Sequence, residues 1–330
     1  MHNKIAIEEH FAIEDTLRES TEYALPGQLN TFERRMLDLD DERLREMDTH
    51  GIAFAILSLN APGVQSVFDP HKAVDVARRA NDVLAAAVAR HPDRYAGFAA
   101  VPMQDPDRAI IEITRGVKDL GFKGVMLSGF SQVGDADTVV YYDDPRYRTF
   151  WGTVEELGVP FYLHPRDPLP NRVTFYDGHP WLRGASWAFG VETATHALRL
   201  MASGIFDTHP RLIAILGHLG EMLPYCVWRL DHRVTKRPRG IPARKTFTEY
   251  LRSNFYVTTS GNFHTNTLKS AIAEIGVDRV LFSVDYPFEE CGDAATWFDA
   301  CEIPESDRVK IGRENAARLF NLLSVATEAI

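Results

Sequence analysis

Eight short apolar runs punctuate the chain, with segments of helical spacing between them. The runs are Lys4–His10 (KIAIEEH), Phe54–Leu59 (FAILSL), Tyr95–Pro102 (YAGFAAVP), Gly124–Ser128 (GVMLS), Pro160–Pro165 (PFYLHP), Leu212–His218 (LIAILGH), Phe255–Gly261 (FYVTTSG) and Arg279–Pro287 (RVLFSVDYP). Most are nearly continuous in apolar side chains rather than alternating, as befits parallel strands covered on both faces. Between them, Asp69–His91, Asp105–Leu120, Asp144–Leu157 and Asn266–Ile275 read as helices. Several open on Asp, Asn or Asp-Pro, and several stop at a glycine such as Gly51, Gly121, Gly158 or Gly276. Those are the residues that cap helix ends. Strand–helix alternation repeated eight times predicts an α/β fold, a (β/α)8 TIM barrel, as one domain over residues 1–330. A doubly wound open sheet is the competing architecture, but no G-x-G-x-x-G follows any of the strands.

Two stretches exceed a minimal barrel: Phe11–Asp40 after strand 1 and Arg166–Ala188 after strand 5. Both leave the C-terminal ends of strands, where barrel active sites lie, so both are expected to be lids or substrate walls. Neither an internal repeat nor an interdomain linker interrupts the pattern.

Composition narrows the partners. The 330 residues are 45% hydrophobic and 25% charged, with a formal charge of -10. That charge argues against a polyanionic partner, and the densest basic stretch, Lys236–Lys245, is short and broken by prolines. It reads as a solvated loop. Cys226, Cys291 and Cys301 have no C-x-x-C spacing and are odd in number, which suits a reducing compartment. No signal-peptide pattern and no apolar run of membrane-spanning length is present, so a soluble, cytoplasmic protein is expected.

Polar residues at strand ends carry the chemistry. Strand 1 ends in Glu8-Glu9-His10; with a period of two, Glu8 and His10 share a face and Glu9 takes the other. Strand 5 ends in His164, strand 6 in His218 and strand 8 in Asp285. Two imidazoles and two carboxylates thus converge on one barrel mouth, a ligand set for Zn, Mn or Fe. Strand 4 ends in Met126-Leu127-Ser128, with no lysine there to bridge a second metal, so a single ion is expected. His218 and Glu221, three residues on at the expected start of the next helix, form a pair in which the carboxylate orients an acid–base imidazole.

These residues and the segments around them resemble the amidohydrolase superfamily, in its metal-dependent aromatic acid decarboxylase branch. The resemblance runs nearly end to end, through KIAIEEHFAI, NDVLAAAVARHPDRYAGFAAVPMQDP, VPFYLHPRDPLP, ILGHLGEMLPYCVWRLDHR and LFSVDYPFE. It is nearest the γ-resorcylate (2,6-dihydroxybenzoate) type, whose E-x-H at strand 1 is present. It implies Glu8, His10, His164 and Asp285 as ligands of one divalent ion, Mn2+ or Zn2+, with no organic cofactor. Asp285, His218 and Glu221 would be catalytic, and Tyr23, Phe189, Phe288 and Ser128 would contact the substrate. Tyr23 and Ser128 stand where the γ-resorcylate type usually has phenylalanine and asparagine, and DYPFE reads more like the 2,3-dihydroxybenzoate type. The implied reaction is nonoxidative, reversible decarboxylation of an ortho-hydroxybenzoate, 2,6-dihydroxybenzoate giving resorcinol and CO2. The 2,3-dihydroxy acid and salicylate are alternative substrates, and a metal-dependent lactone or amide hydrolase is the alternative class. The resemblance also implies a homodimer or homotetramer in which Arg229 enters the neighbouring subunit's site. Trp228 and Tyr225 beside it suggest a second buried contact for that helix, since a barrel-coating helix needs only one apolar side.

Overall fold

The computed structural model describes residues 1–322. Its eight barrel strands are β1 Lys4–Phe11, β2 Ile52–Leu59, β3 Tyr95–Ala100, β4 Gly124–Ser128, β5 Phe161–His164, β6 Ala214–Leu216, β7 Phe255–Thr258 and β8 Val280–Leu281. Each lies parallel to the next in chain order. Between β8 and β1 there is no regular ladder. That seam is closed by separate hydrogen bonds, among them Asp285 N–H to Glu8 O at 3.1 Å and His10 N–H to Tyr286 O at 2.6 Å.

The helices begin where their caps dictate. Asp69 accepts from the backbone N–H groups of His71 and Lys72 ahead of Pro70–Arg90, and Asp105 does the same for Pro106–Lys118. Each puts proline in the first turn, where its missing N–H costs nothing. Such a cap is worth about 1 kcal/mol. Gly158 ends Arg148–Leu157 at φ 68°, a left-handed conformation that glycine adopts without penalty.

Two apolar layers flank the sheet. The outer layer packs helices on strand residues such as Ala6, Ala55, Leu57 and Val125. The inner one fills the barrel with Ile5, Ile7, Phe54, Ile56, Phe98, Met126, Tyr162, Ile215 and Leu281. Ala316, Ala317, Phe320 and Leu322, near the end of the described chain, pack against this inner cluster and plug one end. The other end is left to polar side chains.

Strand β1 departs from simple alternation. Ala6 pairs with Ala55 and Glu9 with Leu57, so Ile7 and Glu8 together oppose Ile56 alone. Two residues facing one is a β-bulge. It resets the phase: Ile5 and Ile7 face the interior, and Glu8 and His10 then do so as well. Glu9 points outward, as period two requires locally.

Three sequence expectations need correction. Strands 6 and 8 are shorter than the apolar runs suggested, so His218 and Asp285 lie beyond regular strand rather than at its end. Both have left-handed backbone, at φ 52° and 85°. Glu221 is not in the first turn of the next helix. It belongs to a run, His218 to Met222, in which all five residues have positive φ, and the helix Leu223–Lys236 starts only after it. A third excursion, after β4, carries a short antiparallel pairing of Ser131–Gln132 with Val139–Val140. The long insertions hold the 3-10 turn Leu17–Tyr23 and helix Leu29–Leu37 after β1, and a chain of short 3-10 turns after β5. Among the described residues no helix is long and apolar enough to cross a membrane.

Candidate active site

Glu8, His10, His164 and Asp285 each bring one ligand atom to a common point, all within 4.8 Å of one another. Asp285 Oδ1 lies 3.2 Å from His10 Nε2, and Glu8 Oε1 lies 3.1 Å from His164 Nε2. Three of these atoms, Glu8 Oε1, His10 Nε2 and Asp285 Oδ1, are buried with no hydrogen-bond partner. Leaving several buried polar atoms unmatched is costly unless something between them takes their lone pairs. A cation does that, and two imidazoles with two carboxylates form a fitting shell for one.

The surrounding groups aim those atoms. Tyr162 Oη donates to Glu8 Oε2 in a short hydrogen bond, and Thr258 Oγ1 donates to the same oxygen at 3.2 Å. Oε1 is thereby left for the cluster. His164 Nδ1 is 2.8 Å from Pro165 O, to which only its N–H form can donate, so Nε2 keeps its lone pair. His10 Nδ1 pairs with Ser58 Oγ at 3.3 Å. Such outer partners fix ring orientation and ligand basicity. Gly217 sits against Glu8: a Cβ there would lie 2.9 Å from Oε2.

Electrostatics follow from this crowding. Burial opposes ionisation of Glu8, yet the imidazoles of His218, His164 and His10 hold its carboxyl below the usual carboxylate range. Burial likewise disfavours the His218 cation, but Glu221, Glu8 and Asp285 outweigh it and raise the imidazole well above its ordinary value. His218 Nδ1 lies 2.7 Å from Glu221 Oε1, and its Nε2 lies 3.5 Å from Asp285 Oδ2. The left-handed turn brings these groups together and is pinned by Leu219 N–H to Thr258 O at 2.7 Å. Glu289, on the cavity wall, is pushed up to about 7 by burial and by the Asp285 charge.

A cavity of about 640 Å³ opens beside the cluster, lined among others by His164, His218, Asp285, Tyr23, Phe189 and Phe288. The three aromatic rings form one wall: Tyr23 meets Phe189 edge-on at 5.5 Å and Phe288 at 6.3 Å. Phe288 also packs on His10 at 5.5 Å. Both insertions contribute, Tyr23 from the first and Asp167, Pro168, Leu169, Arg183 and Ala185 from the second.

Two expected substrate contacts stand apart. Ser128 is buried at the end of β4, where its N–H donates to Gln65 Oε1 at 3.2 Å, and it is not on the cavity wall. Arg229 lies exposed on helix Leu223–Lys236 and does not line the cavity of its own chain. Tyr225 and Trp228 beside it are 85% and 68% exposed, so they do not pack onto the barrel. Sequence reading missed Tyr162, Thr258 and Arg166. Tyr162 and His164 share a face of β5 by the two-residue period, a signal that was available; Arg166, on the cavity wall, continues the same spacing.

Known proteins share the family and the fold. Residues 32–322 match the amidohydrolase family model. Gamma-resorcylate decarboxylase of Rhizobium radiobacter is 58% identical over 324 residues, 98% of this chain and 99% of that protein. A solved structure of 2,6-dihydroxybenzoate decarboxylase with 2,6-dihydroxybenzoate is 57% identical, with a TM-score of 0.96, covering 97% of this chain and all of that one. A dihydroxybenzoic acid decarboxylase from a Polaromonas species, solved with manganese and the inhibitor 2-nitroresorcinol, is 52% identical at a TM-score of 0.96, with both chains fully covered. The chain belongs to the amidohydrolase family, in the branch of the gamma-resorcylate decarboxylases.

Proposed function

We propose that the protein decarboxylates an ortho-hydroxybenzoate without oxidation, converting 2,6-dihydroxybenzoate to resorcinol and CO2. The observation that carries this reading is the set of three unpartnered buried atoms, Glu8 Oε1, His10 Nε2 and Asp285 Oδ1, beside a cavity that Asp285 helps to line and aromatic rings wall. Glu8, His10, His164 and Asp285 would hold one divalent ion. Manganese is our assignment, because two carboxylates suit it as well as zinc and the Polaromonas relative was solved with it. When bound, the ion would supply Lewis-acid stabilisation of the negative charge on the substrate.

The chain's own groups do the rest. Tyr23, Phe189 and Phe288 hold the ring flat. Asp285, from Oδ2 on the His218 side, gives its proton to the ring carbon that bears the carboxylate. A C–H bond forms there and the ring loses aromaticity. The bond to the carboxylate then breaks, its electron pair returns to the ring, and CO2 leaves. Asp285 remains as a carboxylate and takes a new proton from solvent. His218, steadied by Glu221, donates a hydrogen bond to a ring hydroxyl or carboxylate oxygen. Arg229 of a neighbouring copy would help neutralise the substrate anion.

The test is a substrate panel of 2,6-dihydroxybenzoate, 2,3-dihydroxybenzoate and salicylate, with phenolic product and CO2 both quantified. The highest kcat/KM is expected for the 2,6-dihydroxy acid, with resorcinol and CO2 in equal amounts. Solvent oxygen-18 entering a product without CO2 release would assign the site to hydrolysis instead.

A further inference from the structure

The three carboxylate and imidazole groups Glu8, His10 and Asp285 come from β1 and from the segment after β8, the one pair of neighbours not joined by a regular ladder. Their spacing therefore depends on whatever holds that seam. Glu9 does much of it. Its side chain leaves the opposite face of β1 from Glu8 and His10, and its carboxylate is buried against the chain around Asp285. Oε1 accepts from Ser283 Oγ and from Val284 N–H, both at 2.9 Å, and Oε2 accepts from Tyr286 N–H at 3.2 Å. Two of these donors are the residues immediately before and after Asp285. Ser283 Oγ in turn accepts the N–H of Glu8 at 2.7 Å.

Asp285 itself has φ 85°, where an L-residue is held only by its surroundings. Its one backbone bond across the seam, to Glu8 O, would not by itself fix the peptide planes on either side. The Glu9 carboxylate holds the plane that follows Asp285, through Tyr286 N–H, and the Ser283–Val284 plane one residue further back, through Val284 N–H. Arg43 completes the arrangement from outside: it donates to His10 O, and its guanidinium lies 4.7 Å over the Tyr286 ring.

We infer that Glu9 is a positioning residue for the metal centre, a carboxylate clamp that sets the distance and angle between Asp285 and the Glu8–His10 pair. The inference rests on the proposed single-ion site. It concerns ligand geometry rather than chemistry, because Glu9 faces away from the cavity and touches no substrate.

Glu9→Gln tests it. The amide keeps the shape but has one acceptor oxygen, so its NH2 must face an N–H or O–H donor that the carboxylate accepts. Chelated wild type and E9Q are titrated with Mn2+ alone, following binding by calorimetry and by the electron paramagnetic resonance line shape of the bound ion. Thermal unfolding of both is measured without metal. Outer-sphere ligand partners are typically worth ten- to a hundredfold in affinity. E9Q is expected to weaken Kd for Mn2+ by about that factor and to alter the line shape, with a cooperative unfolding transition retained. Kd within twofold of wild type in folded E9Q, with an unchanged spectrum, overturns the clamp while leaving the metal site standing. Wild type that binds no ion removes the metal reading and this inference with it. Should E9Q not fold, Ser283→Ala, which deletes one donor to Glu9 and the acceptor for Glu8 N–H, must weaken Mn2+ binding in the same direction; unchanged binding there also overturns it.

Discussion

In the proposed mechanism Asp285 would carry two duties, one on each carboxylate oxygen. Oδ1 faces His10 Nε2 at 3.2 Å within the ligand cluster, whereas Oδ2 faces His218 Nε2 at 3.5 Å on the cavity side. The carboxyl is 13% exposed, enough to exchange a proton with the cavity. Asp285→Asn keeps an oxygen for the ion but removes the acid. With metal fully bound, confirmed by elemental analysis, kcat for 2,6-dihydroxybenzoate is expected to fall by about 10²- to 10⁴-fold, the usual worth of a positioned proton donor. Most of the wild-type kcat in such a preparation would remove Asp285 from that role. Residues of this kind were legible in the sequence because a charged group ending an apolar run needs a reason to be there. Ser128 was legible only through resemblance, and it is buried at the end of β4 with its N–H on Gln65 Oε1, off the cavity wall. Arg166 escaped notice because an arginine after His164-Pro165 looks like ordinary surface. It is in fact buried, held by Phe130 O at 3.0 Å and Gln132 Oε1 at 2.9 Å.

At the scale of elements, strands β1, β5 and β6 meet around Glu8, and the space between them is filled to contact. Gly217, just past β6, is where a methyl group would enter that space, 2.9 Å from Glu8 Oε2 and 3.1 Å from Tyr162 Oη. Gly217→Ala is expected to bind Mn2+ at least tenfold more weakly while retaining the circular dichroism of the barrel, because second-sphere disturbance costs affinity on that scale. Wild-type affinity in the variant would mean that Glu8 has room to move. The eight strands themselves could be read from continuous apolar runs, and the capped helices from Asp69 and Asp105. The bulge at Ile7 and Glu8 could not. Period two predicts correctly that Glu8 and His10 share a face, but it places Ile7 and Glu9 on the other. Only the pairing of Ala6 and Glu9 with Ala55 and Leu57 shows that both Ile7 and Glu8 turn inward. The left-handed turn from His218 to Met222 was hidden for a related reason: Gly220 apart, its residues show no preference for positive φ. Without periodicity to read, the turns of the second insertion were equally silent.

At the scale of the whole molecule, the exposed side chains of helix Leu223–Lys236 bear on the proposed exchange of Arg229 between copies. Tyr225 and Trp228 are large, mostly exposed and adjacent to Arg229, and a second cavity of about 730 Å³ reaches from Tyr225 to His218 along this face. A twofold-symmetric homo-oligomer would exchange the arginine reciprocally. Inactive Arg229→Ala and inactive His218→Ala subunits, mixed in equal amounts and reassembled, are then expected to regain activity at hybrid interfaces. Verified hybrids without activity, or full activity in a monomer, would refute a shared site. The central claim, an ion-dependent decarboxylase, is tested more directly by one measurement on the unmodified protein. Resorcinol and CO2 formed from 2,6-dihydroxybenzoate are followed after exhaustive chelation and again after Mn2+ is restored. Both products should vanish together and return in equal amounts with about one ion bound per chain, as a single four-ligand site requires. Undiminished turnover by protein shown to be metal-free would contradict the account.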